Sequence, residues 1–582
     1  MQRRFLMNSK AVLCLISLFA VLAAWAGETT IDLHNYIFSR YNKGIRDIVL
    51  PDGKVRCRGV TLGKNVENLT IRGGKNTMLI CTRLGQLFFL NGCKNVTLRD
   101  FSVDYDPLPF TQGTVTKVDL KKHCVYFKIH DGYPRLKDPY IIKHHPLYFD
   151  GKSREMKFGK SAIGLKKVAR LSDDEGVVYY NNSNIRAVPG DFIVLNVRHD
   201  GVFKVRGMTD TLTYKNITLY SGMAGIFARR VKGLHTVDGM RAIRGGKKPE
   251  GATQERLLVL CGDGINYAHG RVGAVIINNE MSYLGDDSVN LHGTSFLVHK
   301  SEKETNSFLC VVAGTFDFEN YKDLILPGDR MRLLAKNNYA LSGENTFRKM
   351  ELTDIKVSGL DLKLLYPTKP PKSHMVIRFY VDGKNLPEAG MRVDFPAINM
   401  PNFVIRNNYF HHHRARGMRI MALNGIIENN RIEQLEQQGI SVGASYGLWT
   451  EAGWVENIII RNNLVDTVCL GGASFNQNSY SPGAICTFSH NDFGGGKHYP
   501  FPACNKGVVI ENNRINNCAL AGIHLISSYG AVVRNNVISN FDREDAPLFG
   551  KRFGIKYRKG AIGTDYSEKA VVENNKIISG GK

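Results

Sequence analysis

Six stretches near the C-terminal end repeat one pattern: FVIRNNYF at 403–410, GIIENNRI at 425–432, IIIRNNLV at 458–465, VVIENNRI at 508–515, AVVRNNVI at 531–538 and AVVENNKI at 570–577. In each, a short β-branched run ends at a charged residue, two asparagines follow, and a second apolar strand begins. Weaker copies lie at ENLTIRGG from Glu67, KNVTLRDF from Lys94, KNITLYSG from Lys215 and GAVIINNEM from Gly273. The paired asparagines recur after 22 residues between Asn407 and Asn429 and after 23 between Asn512 and Asn535. Short strands at periods in the twenties predict a solenoid. A leucine-rich repeat would need its L-x-x-L-x-L frame and a helix-period segment beside each strand, and neither is present. The pattern therefore predicts an all-β chain, a right-handed single-stranded parallel β-helix. An asparagine at the same turn of successive coils can donate its amide to the next rung and satisfy backbone groups that a tight turn leaves unpaired.

Two stretches break the repeat. Residues 104–200 carry GTVTKVDL and HCVYFKIHDG, residues 297–395 carry SFLCVVAG, DRMRLLAK and HMVIRFYVDG, and both punctuate strand-like runs with Gly and Asp turns. They read as inserted antiparallel β-barrels or sandwiches. β-Helix coils are then expected at 27–103, 201–296 and 396–582. Ahead of them, Arg3, Arg4 and Lys10 precede an apolar run from Ala11 to Trp25 and the small-residue pattern Ala24-Trp25-Ala26. That is the layout of a signal peptide over residues 1–26. The run is shorter than the roughly 20 residues needed to span a bilayer. Export to the periplasm or medium is expected, with no membrane association once the leader is gone.

A hydrophobic fraction of 43% is enough for a continuous core and argues against disorder. The formal charge of +24 would suit a polyanion. Its lysines and arginines are scattered, however, and no helix-turn-helix, zinc-finger or RNA-binding signature accompanies them, so nucleic acid is not the expected partner. The 11 cysteines include no C-x-x-C pair and no Cys/His cluster at metal spacing, which disfavours structural zinc. Cys57 and Cys81, 24 apart, would stack on adjacent rungs as a disulfide or as two buried thiols.

Three acids stand outside the repeat: Asp263 in CGDGIN, and Asp286 with Asp287 in LGDDSVNLHG. Asp286 follows Asp263 by 23 residues, one coil, which predicts that these two project from the same position of neighbouring rungs, about 4.8 Å apart. Adjacent strand residues face opposite sides, so the chain must bend near Gly285 to keep both Asp286 and Asp287 out of the core. Three crowded carboxylates cannot all stay ionised cheaply. One should hold a proton as a general acid while the others hold a water. A lone Gly-Asp-Asp could equally be a solvated turn or a calcium site; the partner one coil away, with Asn290 and His292 following, favours catalysis.

At these residues the chain resembles glycoside hydrolase family 110, the α-1,3-galactosidases, and more distantly the polygalacturonases, which share an Asp followed one coil later by Asp-Asp. The resemblance runs through PFTQGTV at Pro109, HDGYP at His130, SGMAGIFARR at Ser221, DDSVNLHG at Asp286, NNYFHHHRARG at Asn407 and EAGWVENIIIRNN at Glu451. It implies a β-helix carrying two inserted barrels and an inverting exo-enzyme for terminal α-1,3-linked galactose that needs no metal or other cofactor. It also implies Asp286 as general acid, with Asp263 and Asp287 activating water. Asn290, His292, Arg416, Trp449 and Glu451 are the candidates for holding the sugar. His411, His412 and His413 cannot all face one ion from a strand and are expected in a turn. The expected partner is a carbohydrate with terminal α-galactose. A polygalacturonase-like hydrolase of acidic polysaccharide and a non-catalytic glycan-binding β-helix are the competing functions.

Overall fold

A computed structural model describes residues 28–158, 165–446, 450–470, 483–488, 502–542 and 560–578, apart from positions 184, 186, 199, 315, 360, 363–371 and 384. The leader and Trp449 thus lie outside the described residues.

The chain winds as a right-handed parallel β-helix with three strands in each coil. One coil runs through Val404–Arg406, Tyr409–His413 and Met418–Met421, and the next through Leu423–Glu428, Arg431–Leu435 and Ile440–Val442. Their side chains explain the stacking. Ile276, Ile405, Ile427, Ile460, Ile510 and Val533 pair one above another and are all fully buried. Successive coils thus bury a column of β-branched residues, which suit a pleated, packed surface.

The two asparagines of each turn have different tasks. The first, at 278, 407, 429, 462, 512, 535 and 574, adopts the left-handed conformation, with φ from 52° to 59°, a region asparagine tolerates better than most residues. The second forms a buried ladder. Asn408, Asn430, Asn463 and Asn513 each donate Nδ2 to the Oδ1 of the ladder asparagine one coil on, at 2.8–3.0 Å. The same Oδ1 also accepts the preceding asparagine's backbone N–H. Cys57 and Cys81 do pair across adjacent coils, as buried free thiols.

At the first coil a helix over Leu33–Tyr41 turns Leu33 and Ile37 into the core, and Asp32 caps it by accepting the Asn35 N–H at 2.9 Å. The repeat gives no hint of this helix, whose Leu33 and Ile37 pack into the core of the coils. No described helix is long and apolar enough to cross a membrane.

Two antiparallel sheets flank the coils. The first places Leu147–Phe149, Phe192–Asn196, Phe110–Asp119, Cys124–Ile129, Glu175–Tyr180 and Leu165–Arg170 side by side. Among the described residues its two edge strands do not pair with each other, so the row stays open. Leu257, Leu258 and Cys261 join its core, so the chain entering Asp263 is anchored there. The second begins within a coil. Strand Val289–Glu302 pairs in parallel with Ile265–Gly270 and Met418–Met421 at its start, then antiparallel with Ser307–Ala313 and Arg392–Asp394. His374–Val381, Leu341–Thr353 and Arg330–Leu334 complete a closed ring of six strands.

Candidate active site

The three aspartates meet where the second strand of a coil turns into the third, but not in the register that their spacing predicts. Leu260 bridges Leu284 and Ile265 pairs with Val289, both offsets of 24. Asp263 therefore stacks on Asp287, not on Asp286. The turn bonds agree, with Gly264 N–H donating to the Asp287 carbonyl and Ser288 N–H to that of Arg416. Asp263, Asp287 and Arg416 thus form one column, and Asp286 sits at the bend beside it. The bend needs Gly285 for want of space: a Cβ there would lie 2.2 Å from the Cys261 carbonyl oxygen.

One carboxylate oxygen from each aspartate lies within 4.8 Å of the others. Their cations are unequally shared. Arg198, arriving from the end of the first antiparallel sheet, is hydrogen-bonded to Asp286 Oδ2, and Arg414 Nη1 stands 3.7 Å from the same oxygen. Asp287, 1% exposed, accepts Arg416 N–H at 2.9 Å and Nε–H at 2.8 Å on Oδ1. Among the described residues Asp263 accepts only a neutral amide, Asn266 Nδ2 at 3.2 Å. Burial, and then the charges of Asp286 and Asp287, push its carboxyl up to about 8. For Asp286, burial opposes ionisation, but Arg198, Arg414 and Arg416 outweigh it and hold the group well below the usual carboxylate range. Burial raises Asp287, with Arg416 opposing. The resemblance makes Asp286 the acid, yet it is the most firmly ionised of the three. The resting proton belongs to Asp263, which, among the described residues, has no cation within 4 Å and feels Arg198 only at longer range.

The strand leaving Asp287 lines the groove. Asn290 pairs with Asn266 on one side and Arg419 on the other, and its Oδ1 is buried without a hydrogen-bond partner. His292 donates Nδ1–H to Gly293 O at 2.7 Å, and burial lowers it to about 3, so it is neutral. Its Nε2 lies 3.8 Å from Glu451 Oε1. Glu451 is brought there by the antiparallel pairing of Thr294 with Glu451 and Gly293 with Ala452, and burial raises its carboxyl. The structure thus gathers Asn290, His292, Arg416 and Glu451 around the trio. Arg198, Arg414, Arg419 and Asn266 join them, although their residue types gave no signal: Arg198 comes from the end of the flanking sheet, Arg414 and Arg419 from a later coil, and Asn266 from three residues beyond Asp263 on its own strand. His411–His413 close a strand, Tyr409–His413, instead of forming the expected turn. His412 is left-handed, with φ of 54°, and His413 is buried with Nε2 2.6 Å from Ser288 Oγ.

A family profile described as "Right handed beta helix region" matches residues 389–503 and 501–582. Alpha-1,3-galactosidase B of Bacteroides thetaiotaomicron is 24% identical over 430 residues, 69% of this chain and 63% of that one. Alpha-1,3-galactosidase A of Peterkaempfera griseoplana is 25% identical over 261 residues, covering 44% and 32%. The chain thus spans less than two thirds of either relative's length. Alpha-1,3-galactosidase B of Phocaeicola vulgatus is 21% identical, with 82% of this chain and 79% of that one covered. Among solved structures, a family 87 α-1,3-glucanase catalytic domain in complex with nigerose is 12% identical, covering 94% of this chain and 65% of that one at a TM-score of 0.39. The chain is thus similar to proteins named alpha-1,3-galactosidase, and its C-terminal third matches a right-handed β-helix profile.

Proposed function

We propose that the protein is an exported glycoside hydrolase that removes terminal α-1,3-linked galactose with inversion. The observation that carries this reading is the unequal trio: a carboxyl that rests protonated beside two carboxylates held by guanidinium groups. In this reading Asp263 passes its proton to the glycosidic oxygen as the bond to the anomeric carbon breaks. Asp286 and Asp287 hold a water on the opposite face and accept the proton it loses on attack. Asn290, His292, Arg416 and Glu451 bind the sugar hydroxyls. The relatives' names support the galactoside, and the layout of residues 1–26 supports export, which a mature N-terminus near Gly27 would check.

A retaining double displacement is the second reading. Oxygens within 4.8 Å of one another are closer than the roughly 6.5–9.5 Å carboxyl separation usual for inversion and nearer the ~5–5.5 Å of retaining enzymes. Proton NMR in early turnover of an α-galactoside decides between them. Inversion releases β-galactose first. Initial α-galactose would establish retention, and no galactose from any α-1,3-galactoside would overturn the function.

A further inference from the structure

Beside the trio, on the two coils before it, lies a group of cations that proton transfer does not use. Arg206 and Arg229 directly follow Val205 and Ala228, which pair in adjacent parallel strands. Both guanidinium groups sit over the ring of Phe227, at 5.1 and 4.1 Å from its centroid. Arg230, next along, is answered by Asp317 at 3.2 Å. Among the described residues Arg206 and Arg229 have no carboxylate within 4 Å. Arg206 donates to the carbonyls of Val205 and Phe227, and Arg229 to those of Ala228 and Asn266 and to Asn266 Oδ1 at 2.6 Å. Through that amide Arg229 is one residue from Asp263, which accepts Asn266 Nδ2. The group therefore belongs to the catalytic groove and not to a remote surface.

Two half-buried like charges sharing one aromatic ring are costly to keep. Burial lowers both to about 10, joined at Arg206 by the charges of Arg229 and Arg230 and opposed at Arg229 by the more distant carboxylates of Glu451 and Asp263. Hydroxyl groups of a neutral sugar could be held by neutral donors, as Asn266 and Asn290 already offer. An oxyanion of a substrate would instead neutralise both guanidinium groups and meet the fork geometry that arginine presents to planar or tetrahedral anions. The chain's formal charge of +24 would draw such a substrate in.

We propose that the two coils preceding the catalytic aspartates bind an acidic substituent of the glycan, a sulfate or a carboxylate, between Arg206 and Arg229. The inference rests on the glycosidase reading and narrows it to galactosides of acidic glycans. The test compares kcat/KM for three substrates: neutral α-1,3-galactobiose, a sulfated α-1,3-galactobiose and an α-1,3-galactoside of galacturonate. At least one acidic substrate should exceed the neutral one, and which one identifies the substituent. In Arg206→Gln, which keeps polar bulk over Phe227, the acidic-to-neutral ratio should fall about tenfold or more; Arg206→Lys should recover part of it. A neutral substrate preferred by the wild type, or a ratio unmoved in Arg206→Gln with an unchanged melting temperature, would overturn the proposal. Calorimetric titration of the three sugars into Asp286→Asn separates the two readings. Arg206-dependent binding of an acidic sugar without turnover by the wild type would defeat the galactosidase reading alone, and equal affinity for all three would defeat this one alone.

Discussion

Replacing Asp263 with asparagine should make the protein more stable above neutral pH while lowering its activity on alkyl galactosides. The folded protein holds this carboxyl up to about 8, against 3.8 for the free group. Because the folded value is raised, the folded state keeps a proton that the unfolded chain releases. The stabilisation is complete below pH ~4 and is lost as pH climbs through ~8. At about 1.4 kcal/mol per unit, the wild type should lose at most ~4 kcal/mol from this group between pH 5 and pH 8. Partial exposure of Asp263 and screening by Arg198 reduce the expected loss to ~2 kcal/mol. Asp286, held low by its guanidinium partners, changes stability only below pH ~4 and does not overlap this window. An amide at position 263 retains an oxygen for Asn266 Nδ2 and carries no charge. Urea midpoints for wild type and Asp263→Asn should therefore separate by ~2 kcal/mol more at pH 8 than at pH 5. Parallel midpoints across that range, or a variant less stable at pH 8, would refute the placement of the proton on Asp263.

Other outcomes follow from the same contacts. With Asp263 as the acid, Asp263→Asn should lose roughly 10²–10⁴-fold on alkyl galactosides but much less on aryl galactosides, whose leaving groups scarcely need a proton. Asp286→Asn and Asp287→Asn should impair both substrates and respond to azide; the reverse pattern would return the acid role to Asp286. Activity should survive EDTA, since guanidinium groups already supply positive charge to Asp286 and Asp287; loss on chelation with rescue by calcium would make the trio a metal site. Asn463→Ala removes two bonds accepted from Asn430 and three donated, to Ile427, Arg461 and Asn513. It should cost ~3–5 kcal/mol in urea unfolding, whereas Asn462→Gly, at φ of 55°, should stay within ~1 kcal/mol because glycine accepts that conformation.

The architecture is legible in the amino-acid order because a β-helix is built from local rules. A short β-branched run, a left-handed asparagine and a second asparagine aimed at the next rung specify one coil, and repetition specifies the stack. Asp263, Asp286 and Asp287 stand out for the same reason, as acids that the repeat does not need. Their arrangement is a different matter. A spacing of 23 stacks Asp286 on Asp263, yet the strands pair at 24 and bring Asp287 there instead, since register follows hydrogen bonding along the whole coil and not the distance between two chosen residues. Nor does the order of residues show which carboxyl carries the proton. That depends on Arg198, 88 residues before Asp286, and on Arg414, which follows the second antiparallel sheet. Charge interacts through space, so the placement of the proton follows only from the flanking sheet and later coils, which bring cations within 4 Å of Asp286 and Asp287 but, among the described residues, none that close to Asp263.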